Sequence, residues 1–167
     1  MDRKLLNDLF AAYFDARRNK RKSVNQLKFE QDLETNIVNL AIDIEKHRYK
    51  VEQSICFIIH KPVIREVFAA DFRDRVVHHY IYNAIAPMLE RSFIEDCYSC
   101  RKGYGTTYGI KRLRHHIRSC SHNFTKEAYV MKLDLAGYFM SINRNKFLET
   151  VKNEMQRYKI NNVGKES

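Results

Sequence analysis

The sequence predicts an α+β fold that is rich in helices and contains one small antiparallel sheet. Apolar residues recur at spacings of three and four over most of the chain, which predicts amphipathic helices. Residues 49–68 instead carry β-branched and aromatic side chains around a single Pro62, which predicts short strands. The 167 residues contain no Gly/Ser/Pro-rich linker and are enough for one hydrophobic core.

Two amphipathic helices are predicted before the sheet. The first follows the apolar positions of residues 5–14 and ends in the basic block at residues 17–22. The second follows an apolar stripe over residues 29–44 and ends near His47.

The middle of the chain predicts a hairpin followed by a helix. Two strands within residues 49–68 are expected to join at His60, Lys61 and Pro62. Helical spacing returns over residues 71–92, where Asp71 or Asp74 is expected to cap the first turn. Pro87 is expected to kink or end this helix.

The last third predicts a loop, a basic helix, a strand and a final helix. Three of the five glycines fall within residues 97–109, which predicts a loop leading into a helix over residues 110–120. Residues 129–135 predict a strand. Ser141 or Asn143 is expected to cap the final helix.

Charge and composition narrow the partner class. Lys and Arg total 30 against 20 Asp and Glu, a formal charge of +10, which predicts a polyanionic partner and leaves DNA, RNA and anionic lipid open. The longest apolar run, Ile55–Ile59, is far shorter than the roughly 18 residues of a membrane-spanning helix, and the start shows no secretory signal. The four cysteines are expected to be reduced, so we expect a cytoplasmic protein without a membrane partner.

Asp134 ends the predicted strand, and the aromatic Phe139 follows five residues later. Hard cations such as Mg²⁺ prefer carboxylate and carbonyl oxygens, so Asp134 with the main-chain carbonyl of Leu135 could form half of a metal site. The alternative is that Asp134 is an ordinary turn or capping residue.

Lys61 and Arg65 lie near the bend of the predicted hairpin. A point charge beside a planar guanidinium is what triphosphate recognition uses, and arginine can also stack on a base. The alternative is an exposed hairpin whose charges only keep it soluble.

One further set of residues could supply four zinc ligands: Cys97, Cys100, Cys120 and His122. Its Cys-x-His half is tighter than usual zinc spacings. The nearby Gly103 and Gly105 lack the third glycine and the strand-to-helix context of a dinucleotide-binding loop.

Read in order, four motifs of the chain resemble prokaryotic reverse transcriptases, the group of retron, group II intron and diversity-generating retroelement enzymes. They are Lys61-Pro-x-x-Arg65-Glu, Asp74-Arg75-Val76-Val77, Tyr98-x-Cys100-Arg101-x-Gly103-x-Gly105-Thr106 and Lys132-x-Asp134-x-x-x-x-Phe139-x-Ser141-Ile142. The sequence from Phe68 to His79 and the Cys-Arg-Lys-Gly loop are most similar to those of the diversity-generating branch. The resemblance covers about residues 49–150.

The resemblance implies a right-hand polymerase that copies an RNA template into DNA, with residues 1–48 as a helical extension, 49–127 as fingers and 128–167 as the start of a palm. It implies that Asp134 is the first catalytic aspartate and shares Mg²⁺ with the Leu135 carbonyl. Phe139 would be the steric gate against ribonucleotides.

The resemblance also implies the residues that hold the substrates. Lys61 and Arg65 would grip the incoming deoxynucleoside triphosphate. A loop of five residues would face the duplex of RNA template and DNA primer: Arg101, Lys102, Gly103, Gly105 and Thr106.

The family's paired aspartates have no counterpart, because no Asp-Asp pair occurs in the sequence. After Asp134 the acids are Glu149, Glu154 and Glu166. We therefore expect an incomplete palm that cannot polymerise alone, with an open sheet edge that could support a homodimer. The alternative function is a non-catalytic, basic nucleic-acid-binding module.

Overall fold

The computed structural model describes residues 2–18, 23–62, 64–135 and 137–163, with side chains up to residue 159. The elements of the described residues, in chain order, are α1 (Arg3–Arg17), α2 (Val24–Gln31), α3 (Leu33–Glu45), β1 (Ile55–Ile59), β2 (Arg65–Ala69), α4 (Phe72–Leu89), α5 (Thr106–Cys120), α6 (Tyr138–Ser141) and α7 (Arg144–Val163). The predicted α+β class, rich in helices and with a small antiparallel sheet, is therefore confirmed.

The chain divides into two compact units, Met1–Ala86 and Pro87–Ser167. The division falls within α4, and the predicted fingers and palm boundaries after residues 48 and 127 stay a prediction. None of the helices in the described ranges has both the length and the apolar character that crossing a bilayer requires.

The first predicted helix forms as α1. The Asp2 side chain accepts a hydrogen bond from the Lys4 backbone N–H at 2.8 Å, which satisfies one of the unpaired donors at the helix start. Leu5, Leu9 and Tyr13 then face the interior at helical spacing.

The second predicted helix is wrong in one respect, because it is two helices that meet at Asp32. This residue leaves the helical conformation, with φ −126° and ψ 50°, so α2 ends and α3 begins there. The Asn36 side-chain amide donates to the Phe29 carbonyl at 3.0 Å and satisfies a group that the break leaves unpaired. Because the apolar stripe continues across Asp32, the sequence pattern does not indicate the break.

The predicted hairpin is confirmed. β1 and β2 pair antiparallel, with Ile55 opposite Ala69 and Ile59 opposite Arg65. The turn between them contains His60, Lys61 and Pro62. Because most side chains of both strands are exposed, the hairpin gains little from burial and depends on the elements around it.

The core of the first unit joins the amino-terminal helices to α4. Phe72 and Val76 of α4 are buried together with Leu9, Ile37 and Leu40. The Phe72 ring packs edge-on against Phe29 at 5.4 Å and Tyr13 at 6.2 Å between ring centroids. The residues before 49 therefore share one core with later residues.

Asp74 is fully buried in the first turn of α4. Its carboxylate accepts hydrogen bonds from the Tyr49 hydroxyl at 2.6 Å and from the Glu52 backbone N–H at 2.9 Å. Burial, followed by the hydrogen bond to Asp74, raises the pKa of Tyr49. Asp71 caps the start of α4, because its side chain accepts a hydrogen bond from the Arg73 N–H at 2.9 Å.

The predicted strand over residues 129–135 is wrong. A strand needs a neighbour to pair its N–H and C=O groups, and in the described residues only β1 and β2 form a sheet. The segment is extended but exposed, with 90% of the Tyr129 surface accessible. The sheet edge that predicted a homodimer is thus not formed there, and the dimer stays a prediction.

The end of α4 and the start of α7 agree more closely with the predictions from the sequence. α4 continues past Pro87 and ends two residues later at Leu89. α7 begins after Asn143, one of the two residues predicted as its cap, whose side chain accepts from the N–H groups of Asn145 and Lys146 at 3.1 Å.

The Asp74 contacts can be tested by substitution. Asp74→Ala leaves the Tyr49 hydroxyl and the Glu52 N–H without their acceptor, and we expect the free energy of unfolding to fall by about 3 kcal/mol. Urea unfolding measures it. The control is Asp43→Ala, which removes partly exposed ion pairs with Arg73 and Arg48 and should cost less than about 1 kcal/mol. Equal losses in the two variants would contradict the role of Asp74.

Candidate functional site

Lys61 and Arg65 lie at the turn end of the hairpin in the first unit. Arg65 is the first residue of β2, and Lys61 lies in the turn that precedes it. Both are exposed, and neither has an ion-pair partner within the described ranges. Their charges are therefore available to an anion from solution.

Asp134 and Phe139 lie in the second unit and line one open cavity of about 410 Å³. Gly137, between them, has φ +60°, a left-handed conformation that glycine adopts without strain, and it turns the chain into α6. Phe139 is 85% exposed. Leu135 contributes to the same cavity, so three of the predicted site residues come together.

These residues do not make a complete magnesium site. The Asp134 carboxylate accepts the Leu135 backbone N–H at 2.9 Å, and no group of three or more His, Cys, Asp or Glu in the described part of the chain could hold a metal ion. Magnesium requires about six oxygen ligands. Asp134 and the Leu135 carbonyl could supply only two of them.

The zinc set likewise does not assemble in the described residues. Its three cysteines, together with Cys56, are all described, and none forms a disulfide.

Arg101 has partners inside its own loop. Its guanidinium donates to the Cys97 carbonyl at 3.0 Å and lies 4.1 Å from the centroid of the Tyr104 ring. Arg101, Gly105 and Thr106 line a cavity of about 610 Å³. Arg101 is therefore half-buried and held in place on one side of this cavity.

The two remaining predicted residues of this loop lie outside the cavity lining. Lys102 and Gly103 are exposed. Gly103 has φ +83°, a conformation that a residue with a Cβ rarely adopts. The turn therefore accounts for glycine at position 103.

Asp96, which no motif of the sequence indicates, joins this loop to α5 through three hydrogen-bond donors. Its carboxylate accepts from the Tyr98 hydroxyl at 2.6 Å, Arg112 Nε at 2.7 Å and His116 Nε2 at 2.8 Å. The hydrogen bond from Arg112, followed by that from Tyr98, holds the pKa of Asp96 well below its usual range. Arg112 and His116 are four residues apart, which places them on one face of α5.

Gly109 explains how the loop approaches α5 so closely. A Cβ at this position would lie 2.9 Å from Cδ2 of the Tyr98 ring. The sequence reading ended the loop at Gly109, whereas the structure begins α5 at Thr106 and places Gly109 inside the helix. The glycine is needed for packing against Tyr98 and not for a turn.

The predicted site residues thus fall into two sets. Lys61 and Arg65 belong to the first unit, whereas Asp134, Phe139 and the Arg101 loop belong to the second. Comparison of the chain with protein-family models and with curated proteins finds no match.

The Asp96 contacts can be tested by titration. The pKa of Asp96 is lower in the folded chain than the ordinary value of about 4, so its contribution to stability is present above that pH and is lost as the pH falls through the folded value. Carboxyl ¹³C NMR should show an Asp96 midpoint well below 4, which Arg112→Gln moves upward.

The control for this titration is Arg114→Gln, which removes the same charge from another face of α5 and should leave the Asp96 midpoint almost unchanged. An ordinary midpoint in the unmodified chain would show that Arg112 and Tyr98 do not stabilise the carboxylate.

Proposed function

We propose that the chain supplies the fingers and the start of the palm of an RNA-directed DNA polymerase. In the complete enzyme these parts bind an RNA template, a DNA primer and a deoxynucleoside triphosphate. The proposal starts from the four collinear motifs of the sequence. The structural observation that supports it most is the cavity shared by Asp134, Leu135 and Phe139.

The arrangement around this cavity fits nucleotide selection. A flat aromatic ring beside a carboxylate can receive the sugar of a nucleotide whose phosphates are held by metal on the carboxylate side. A 2′-hydroxyl on that sugar would collide with the Phe139 ring. The ring would thereby favour deoxyribonucleotides.

Lys61 and Arg65 would bind the triphosphate. Both cations are exposed and have no carboxylate partner in the part of the chain that the structure describes, so no ion pair has to be broken before they contact phosphate. Arg65 can in addition lie flat against a base.

Magnesium would supply the activation of the primer hydroxyl and the stabilisation of the leaving pyrophosphate. Asp134 can provide one carboxylate ligand, and the sequence contains no paired aspartates to provide the others. We therefore propose nucleotide binding, without primer extension, as the activity of this chain alone.

A second candidate function is a non-catalytic nucleic-acid-binding module. The formal charge of +10 supports it, because phosphate backbones bind basic surfaces without regard to sequence. The two functions differ in metal dependence, since binding through basic side chains alone needs no magnesium.

Nucleotide binding can be measured on the chain itself. We expect dATP with Mg²⁺ to bind weakly in isothermal titration calorimetry, and Arg65→Ala to weaken the binding about fivefold to tenfold because a charged hydrogen bond to phosphate is lost. Arg3→Ala removes the same charge from an exposed position of α1 and should have little effect. Equal effects of the two variants would reject the assignment of Arg65.

Catalysis can be tested in a longer polypeptide that continues from Ser167 into a paired-aspartate turn. With an RNA template, a DNA primer and Mg²⁺, we expect extension by deoxynucleotides that Asp134→Asn reduces about a hundredfold to a thousandfold, roughly the loss on removing one group that stabilises charge in a transition state. Phe139→Ala should keep extension and admit ribonucleotides. Activity that survives Asp134→Asn would exclude this residue from the metal site.

A further inference from the structure

One face of α5 borders a polar cavity of about 660 Å³ in the second unit. Five basic or titratable side chains line it: Lys111, Arg114, His115, Arg118 and His122. We call these five residues and their cavity the α5 groove. Ser119 and Asn123 add neutral hydrogen-bonding groups, and the described lining includes no carboxylate.

The permanent cations of the α5 groove have no carboxylate partner in the described residues. Lys111 and Arg114 form no ion pair there, and Arg118 contacts only the neutral side-chain oxygen of Asn123, at 3.3 Å. By contrast, Arg112 on the neighbouring face is paired with Asp96. The positive charge of the groove is therefore not neutralised by described carboxylates and is available to an external anion.

The end of the α5 groove is built by an unusual turn. His122, Asn123 and Phe124 have φ of 49°, 59° and 66°, a conformation that costs energy in residues other than glycine. Hydrogen bonds hold the turn: the Asn123 N–H donates to the Arg118 carbonyl at 2.8 Å, and the Phe124 N–H donates to the hydroxyl of buried Ser121 at 2.8 Å. His122 and Asn123 are thus held beside the cavity.

The spacing of the cations suits a phosphate backbone. Lys111 and Arg118 are seven residues apart, so their Cα atoms span about 10 Å along the helix axis at a rise of about 1.5 Å per residue. One strand of a nucleic-acid duplex presents a phosphate about every 3.4 Å of axis, which places about three phosphates along this span. The groove has three permanent cations for them.

The polar lining of the α5 groove suits a phosphate backbone better than a membrane surface. An interfacial helix buries an apolar face while its cations reach the headgroups beside that face. The aliphatic residues of α5 are Ile110, Leu113 and Ile117, and at 3.6 residues per turn their mean direction lies about 100° from that of Lys111, Arg114 and Arg118. The apolar residues thus lie to one side of the α5 groove, whose described lining contains no apolar side chain that a bilayer could receive.

We propose that the α5 groove binds the phosphate backbone of nucleic acid. This surface is separate from the Arg101 loop and from Asp134, so the proposal does not depend on polymerase activity. RNA and DNA share the phosphate chemistry, and the experiment compares them directly.

The experiment measures fluorescence anisotropy of a labelled RNA duplex and of a DNA duplex of the same sequence over a series of KCl concentrations. The test variant is K111Q/R114Q/R118Q. The control variant, K146Q/K152Q/K159Q, removes three exposed lysines from α7 and the same total charge. Circular dichroism compares the helicity and melting of both variants with those of the unmodified chain.

We expect the test variant to bind at least tenfold more weakly near 0.1 M salt, and the slope of log K against log salt to fall in magnitude by about 2 to 3, because each lost phosphate contact contributes about 0.7 to 0.9. The control should change the slope by less than about 1. Equal losses with RNA and DNA support backbone recognition, and a larger loss with RNA supports it with an added contact to the 2′-hydroxyl.

Three results would overturn the proposal. The first is an unchanged slope in the test variant, and the second is an equal change in the control variant, which would indicate diffuse attraction. The third is unchanged nucleic-acid binding with loss of binding to phosphatidylserine vesicles, which would assign the face to a membrane. If the triple variant melts early, the three single variants replace it, each with an expected slope change of about 0.7 to 0.9.

Discussion

Asp96 receives three side-chain hydrogen bonds, and the arrangement of the second unit depends on this carboxylate. Few apolar side chains are buried there; among the described residues after Pro87 only Met88 and Ser121 are buried. Polar contacts therefore decide how the loop lies on α5. Because Asp96 occupies Arg112 and His116, and Tyr98 packs against Gly109, one face of α5 is covered and its rotation relative to the loop is set.

The first unit depends on a different kind of interaction. Its apolar core joins α1, α3 and α4 around Phe72. Burial of these apolar side chains supplies the main stabilising free energy. The buried carboxylate of Asp74 then attaches the segment before the hairpin to α4 through Tyr49 and Glu52. The hairpin itself remains exposed, and its cations stay accessible as a result.

The distribution of paired and unpaired cations separates structural from functional candidates. Arg101, Arg112 and Arg73 all have carboxylate, carbonyl or ring partners within the fold. Lys61, Arg65 and the cations of the α5 groove have no carboxylate partner in the described ranges. A formal charge of +10 does not make this distinction, because it counts both kinds equally.

The sequence by itself determined most of the helices, the two strands and the α+β class, because these arise from neighbouring residues. It narrowed two helix caps to Asp71 or Asp74 and to Ser141 or Asn143, and the structure selects Asp71 and Asn143. The sequence also brought Asp134 and Phe139 close together, since five residues and a glycine turn separate them. Only the tertiary structure decided that Asp32 breaks a helix, that Gly109 belongs to α5, and that residues 129–135 are unpaired. It alone showed the role of Asp96, because the donors at Arg112 and His116 are 16 and 20 residues away and reach it only through folding.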